Sequence, residues 1–264
     1  MPELPEVEIV RRGLLPLVTG KVIRSITIED QKIVLPLGLL VGRTITGIDR
    51  KGKFLFFRLC GQDTLLVHLG MTGVLVYEEP GCELPYRRLF IKLDAGALLY
   101  SDQRRFGKVR YLDDPSRERL WDSLGMDPLS GEYDFQRFQQ LLAARSCRVK
   151  DFLLDQRFLC GIGNIYACEI LFRTGIHPEK RVSRLSIEEV GWLFRVIPQV
   201  LEEALSLQGT TIRDFRRSDG RKGEFQNRLC VYGRAEQSCP QCGTAIKRIR
   251  FAGRSSFYCP SCQA

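Results

Sequence analysis

Two CxxC pairs, Cys239-Pro-Gln-Cys242 and Cys259-Pro-Ser-Cys262, stand near the end of the chain with sixteen residues between them. Each pair presents two thiolates from one tight turn, and four thiolates close a tetrahedral shell. That is the ligand count and spacing of a structural zinc ribbon, with one Zn2+ and no open position for catalysis. A pair of redox motifs would call for a thioredoxin-like βαβ pattern, which the sequence lacks. Between the knuckles, Ile246 to Tyr258 alternates as a β-hairpin turning near Ala252-Gly253-Arg254, with four cations and no acid. So small a hairpin has little core of its own, and the metal supplies its folding energy.

The other six cysteines, Cys60, Cys82, Cys147, Cys160, Cys168 and Cys230, have no ligand spacing. No signal peptide or apolar run of membrane-spanning length precedes them, so a reducing cytosol and small packing thiols are expected. Charge matters more. The formal net charge is +9, and residues 205–264 carry eleven Lys or Arg against four Asp or Glu, a local net of +7. Such a basic region either neutralises phosphates with counterion release or is a solubilising surface.

The N-terminal part opens on a helix signalled by Pro5, Glu6 and Glu8, with Val7, Val10 and Leu14 at helical spacing and an end near Leu15 and Pro16. Short β-rich runs follow at Val22–Ile28, Thr44–Ile48, Phe54–Leu59, Leu65–Leu69, Val74–Tyr77, Leu89–Leu93, Ala97–Tyr100 and Val109–Leu112. Their number and shortness predict a β-sandwich. After Asp113-Asp114-Pro115 helical periods take over, in Arg117–Leu124, Phe135–Ala144, Val149–Asp155, Ile165–Arg173 and Ile187–Leu207. An apolar share of 44% against 27% charged fits an ordinary two-domain globular chain.

Met1-Pro2-Glu3-Leu4-Pro5-Glu6-Val7-Glu8 places three carboxylates around a proline at position 2. Removal of Met1 would free a secondary amine with a pKa of roughly 8, able to attack a carbonyl-like carbon and form an iminium. An acidic helix start alone accounts for the same residues. Five further segments follow in order: His68-Leu-Gly-Met-Thr-Gly73, Arg104-Arg-Phe-Gly107, Gly161-Ile-Gly-Asn-Ile-Tyr-Ala167, Ser218-Asp-Gly220 and the four-cysteine hairpin. Through these motifs, across almost its whole length, the chain resembles the formamidopyrimidine-DNA glycosylase family of bacterial oxidised-purine glycosylases and AP lyases. Leu4 stands where the related endonuclease VIII branch, directed at oxidised pyrimidines, usually has Gly.

The resemblance implies a role for each matching residue. The Pro2 amine attacks the sugar C1′, and Glu3 assists ring opening and proton transfer. Lys53, on its own an exposed lysine after a Gly turn, contacts phosphate and donates a proton in β-elimination. Arg254, at the hairpin tip, grips the phosphates at the lesion and takes part in δ-elimination. Met71, Arg104 and Phe106 are inserted into the duplex: Met71 fills the vacated space, Phe106 wedges a base step, and Arg104 bonds the orphaned base. Taken singly, Met71 and Phe106 are more often core residues.

Asn164, at a helix start, is a phosphate ligand by the same resemblance and an ordinary cap by itself. His68, Arg145 and Lys150 are further phosphate contacts. Pro85-Tyr86-Arg87-Arg88 departs from the family, standing where relatives commonly carry a histidine that contacts DNA. Either Tyr86, or Arg87 or Arg88, takes its place.

These readings predict an α+β chain. Residues 1–114 form a catalytic β-sandwich with flanking helices, 115–132 a linker, 133–228 a helical domain with a helix-two-turn-helix element, and 229–264 the zinc hairpin. The expected activity is removal of 8-oxoguanine and formamidopyrimidines from duplex DNA through a Schiff base on Pro2, then β,δ-elimination. The expected partner is double-stranded DNA containing an oxidised base, bound by a monomer in the bacterial cytoplasm, with no membrane. The alternatives are a pyrimidine-directed enzyme of the endonuclease VIII branch and a non-catalytic lesion-binding protein.

Overall fold

The structure is a computed structural model and describes residues 2–78, 84–211, 222–251 and 253–264. Met1, Cys82, Ser218-Asp219-Gly220 with Arg221, and Ala252 lie outside the described residues. The chain divides into two compact units, Met1–Ser123 with Leu207–Gln226, and Leu124–Ser206 with Asn227–Ala264.

The first unit begins with helix α1, Leu4–Val18, which has a capping box formed by Glu3 and Glu6 and a proline in its first turn. The sequence predicts its end near Pro16, but the helix runs on to Val18. Pro16 forfeits only the hydrogen bond its missing N–H would have made to Arg12, while Val18 is fully buried and the Thr19 N–H closes the turn on Leu15 O at 3.2 Å. All eight expected strands form: β1 Ile23–Ile28, β2 Ile45–Lys51, β3 Phe54–Leu59, β4 Thr64–His68, β5 Gly73–Glu78, β6 Arg87–Leu93, β7 Ala97–Asp102 and β8 Lys108–Leu112.

They make the two layers of the sandwich, antiparallel sheets in the orders β1-β6-β7-β5 and β2-β3-β4-β8. Helix α1 packs on strands of both layers, β2 and β3 in one and β5 in the other. Strand β7 is buried at every position, because Leu84, Phe90, Val74 and Val76 cover Ala97 and Leu99 on the face away from Leu98 and Tyr100. A short helix, α2 (Leu37–Leu40), was not expected from the sequence. Helix α3, Asp114–Ser123, belongs to this unit through Trp121, which packs edge-on against Phe56 at 5.2 Å.

The second unit holds α4 Phe135–Ala143, α5 Val149–Leu154, α6 Asn164–Thr174 and α7 Ile187–Ser206. Pro198 lies inside α7 and cannot donate to the Phe194 carbonyl. The Tyr133 hydroxyl donates to that oxygen at 3.0 Å, with its ring stacked on Phe194 at 4.2 Å. Between α5 and α6 the chain makes a turn at Asp155–Phe158, then a second at Gly161, whose φ of +100° requires glycine and whose N–H donates to Gln156 Oε1 at 2.8 Å. Strands β9 Lys247–Phe251 and β10 Arg254–Tyr258 form the expected hairpin, with Phe251 paired to Arg254 and Lys247 to Tyr258.

Candidate functional site

At the head of α1 the Glu3 side chain is 2% exposed. Glu6 fixes its backbone: Oε2 accepts the Glu3 N–H at 2.8 Å, and Oε1 accepts the Thr210 N–H at 2.8 Å. The segment ending at Thr211 is therefore fastened to the turn that carries Pro2 and Glu3. Gly209 makes the approach possible, since its φ is +80° and a Cβ there would lie 3.0 Å from Ile9 and 3.1 Å from Glu6.

One turn into the helix, Glu8 accepts from Arg11 at 2.8 Å, Arg12 at 2.7 Å and Arg50 at 2.9 Å. Burial alone would raise its carboxyl, but the three guanidinium groups overcome it and hold it at about 2. Arg50 also donates to Gly52 O at 3.2 Å. This pair locks α1 to the β2–β3 hairpin, whose two-residue turn is Gly52-Lys53 with Gly52 at φ +56°. Lys53, read from sequence as exposed, is only 8% exposed.

His68 closes β4 with its ring 4.7 Å from Phe54. Burial, aided by the charges of Lys53 and Lys108, pushes its pKa down to about 4. Its Nδ1 accepts the Gly70 N–H at 3.2 Å, so the neutral ring carries its proton on Nε2. Just beyond, Met71 sits on the β4–β5 turn at 36% exposure and Phe106 on the β7–β8 loop at 52%. Neither is a core residue. Arg104 is exposed beside them, its guanidinium 4.8 Å over the Phe106 ring.

At Pro85–Arg88 both arginines are engaged within the protein. Arg87 pairs with Glu29, and Arg88 donates to the Asp102 carbonyl at 3.0 Å and lies 4.0 Å from Asp30. Tyr86 is left as the outward residue, 55% exposed with φ +57°. Sequence reading missed Asp30, which is 5% exposed and receives Arg105 bidentately, one bond being 2.9 Å, holding Arg105 at φ +57°. No sequence signal joins an acid to an arginine 75 positions away.

In the second unit Arg145 is exposed, its guanidinium 4.6 Å over Phe158. Lys150 differs from its expected place at a phosphate. It is fully buried, and its ammonium donates to Ser256 Oγ at 2.6 Å and Ser255 O at 3.1 Å. Asn164 sends Nδ2 to the same Ser255 carbonyl at 2.9 Å, and its Oδ1 is buried with no hydrogen-bond partner. The cap of α6 is Gly163, so Asn164 is not an ordinary cap. Two side chains thus hold the residue after Arg254, which is exposed at the hairpin tip.

The ligand atoms of Cys239, Cys242, Cys259 and Cys262 all lie within 4.8 Å of one another, with 3.9 Å between Cys239 and Cys262 and 3.4 Å between Cys242 and Cys259. A tetrahedron with Zn–S of about 2.3 Å has edges of about 3.8 Å, so these four residues fit one structural zinc ion. Glu169 on α6, unnoticed in the sequence, anchors the approach to the knuckles. Fully buried, it accepts the N–H groups of Cys230, Val231 and Tyr232 at 2.9, 3.0 and 2.9 Å. Burial pushes its carboxyl upward against the pull of those amides.

Three family models match the chain: the formamidopyrimidine-DNA glycosylase N-terminal domain over residues 1–109, the H2TH domain of the same enzymes over 124–216, and the zinc finger found in FPG and IleRS over 237–264. The formamidopyrimidine-DNA glycosylases of Alkalilimnicola ehrlichii and Heliobacterium modesticaldum are each 41% identical, over the full length of both chains. Among solved structures, the MutM (Fpg) protein of Thermus thermophilus is 40% identical with a TM-score of 0.91, covering 99% of this chain and 98% of that one. A Lactococcus lactis Fpg mutant bound to Fapy-dG-containing DNA is 33% identical, with a TM-score of 0.92 and 99% of each chain covered.

Proposed function

The chain belongs to the formamidopyrimidine-DNA glycosylase family, and we propose that it excises oxidised purines, 8-oxoguanine and formamidopyrimidines, from duplex DNA and then cleaves the strand as an AP lyase. The observation that carries this reading is the N-terminal turn. Pro2 and Glu3 stand at the head of a helix whose first carboxylates are spent on position: Glu6 on the Glu3 and Thr210 amides, Glu8 on Arg50. Pro2 is itself buried at the head of this helix, and removal of Met1 would free its nitrogen beside Glu3 to act as the nucleophile.

The amine attacks C1′ and the base departs with a proton. Glu3 assists sugar ring opening, giving an iminium between Pro2 and C1′. The iminium acidifies the C2′ proton, whose loss expels the 3′ phosphate, and a second elimination expels the 5′ phosphate. Lys53 donates a proton in the first elimination. Arg254 grips the phosphates and takes part in the second. Met71, Arg104 and Phe106 hold the duplex open. His68, Tyr86, Arg145 and Asn164 contact DNA, and the neutral His68 does so as an Nε2–H donor. Lys150 acts through Ser255 and Ser256, supporting the residue that follows Arg254. The zinc ion, held by Cys239, Cys242, Cys259 and Cys262, supplies the hairpin's folding energy and no reaction step. We read the protein as a cytoplasmic monomer. Among the described residues no helix is long and apolar enough to cross a membrane.

Incubation with a duplex containing 8-oxoguanine opposite cytosine tests this reading. The expected product is a one-nucleotide gap with phosphate on both ends. Binding without cleavage would mark a lesion-binding protein, and faster cleavage at an oxidised pyrimidine would mark the endonuclease VIII activity. Either result overturns the proposal.

A further inference from the structure

Asp102, the last residue of β7, is 1% exposed. A carboxylate so placed is costly unless its oxygens are satisfied. Oδ1 accepts the Thr72 hydroxyl at 2.5 Å, and Oδ2 accepts the Gly107 N–H at 2.7 Å and the Tyr100 hydroxyl at 3.2 Å. Thr72 in turn accepts the Arg104 N–H on its own Oγ1 at 3.0 Å. Met71 adjoins Thr72, Phe106 adjoins Gly107, and Arg104 is bonded directly. One carboxylate and one hydroxyl therefore reach all three residues assigned to duplex opening, across two loops that are far apart in sequence.

The loop backbones also touch. A Cβ on Gly70 would lie 2.5 Å from the Gly107 nitrogen, and one on Gly107 would lie 2.8 Å from the His68 carbonyl oxygen. No side chain can enter that seam. Arg105, between Arg104 and Phe106, is held at positive φ by Asp30.

We infer that Asp102 and Thr72 are positioning residues that join the Met71 turn and the Arg104–Gly107 loop into one rigid wedge. This inference rests on the duplex-opening roles proposed above. Unstacking a nucleotide costs a few kcal/mol, and a wedge ordered beforehand loses no further conformational freedom as it enters.

Two substrates separate positioning from general damage: a duplex with 8-oxoguanine opposite cytosine, and a single-stranded oligonucleotide with a preformed abasic site, which offers no duplex to open. In single-turnover assays Thr72→Val and Asp102→Asn should slow duplex excision roughly 10- to 100-fold, the scale of an ångström-size misplacement. Cleavage of the single strand should stay within about twofold. Thr72→Ser, which keeps the hydroxyl, should restore near-normal duplex excision. The double variant should be no slower than the worse single one, as expected of residues acting as a unit.

Equal losses on both substrates, or an unimpaired Thr72→Val, overturn the inference. If Asp102→Asn does not fold, the Thr72 pair decides alone. Phe106→Ala is the reference. With no duplex-specific loss there, the duplex-opening reading itself fails. With such a loss there and none in Thr72→Val, only the shared hub fails.

Discussion

Glu8 holds three arginines on an 8% exposed side chain, and one of them, Arg50, ties the first helix to the Gly52-Lys53 turn. Glu8→Gln keeps the shape and removes the charge. It should cost about 2 kcal/mol at neutral pH, below the loss for a wholly buried pair because Arg12 is open to solvent. The folded carboxyl lies at about 2 and the ordinary value is 4.5, so its contribution is complete above pH 4.5 and fades as pH falls toward 2. Urea unfolding of both proteins from pH 7 down to pH 3 should show the gap narrowing. A gap that widens in acid would contradict the pairing. The sequence showed Glu8 as one more acid in a helix start. Its partner at position 50 was invisible, because ion pairs across 42 residues leave no periodic trace.

Elements were more legible than contacts. Each strand and the five longer helices of the 115–207 region announced themselves by period and turn residues, and the zinc hairpin by its cysteine spacing alone. What period cannot carry is compensation between elements. Pro16 read as a helix stop because the burial of Val18 is a tertiary fact, and the Tyr133 hydroxyl that answers Pro198 lies 61 residues from its acceptor. Glu169 belongs to the same class, joining α6 to Cys230–Tyr232. Glu169→Gln turns an NH2 toward at least one of three backbone donors and should weaken that joint by about 2 kcal/mol. Hydrogen exchange at Cys230, Val231 and Tyr232 should then accelerate roughly 30-fold, with the amides of α7 unchanged. Uniform acceleration throughout the second unit would show that Glu169 supports the whole helical core rather than this joint.

At the scale of the molecule, each compact unit carries part of the proposed machinery. The first holds Pro2, Glu3, Lys53 and the insertion loops, and the second holds Arg145, Asn164 and the metal-clamped hairpin with Arg254. Family resemblance made these residues legible as a set. By resemblance Lys53 and Lys150 are both expected at phosphates, and both side chains are buried; what sets Lys150 apart is its partners, since its ammonium is locked onto Ser255 and Ser256. In the proposed reaction the Pro2 amine is the nucleophile. Borohydride added during reaction with an 8-oxoguanine duplex reduces an iminium to a stable amine, and peptide mass analysis locates it. The predicted result is one DNA adduct on a peptide that begins at Pro2. Absence of an adduct, attachment at a lysine, or active protein that retains Met1 would contradict it.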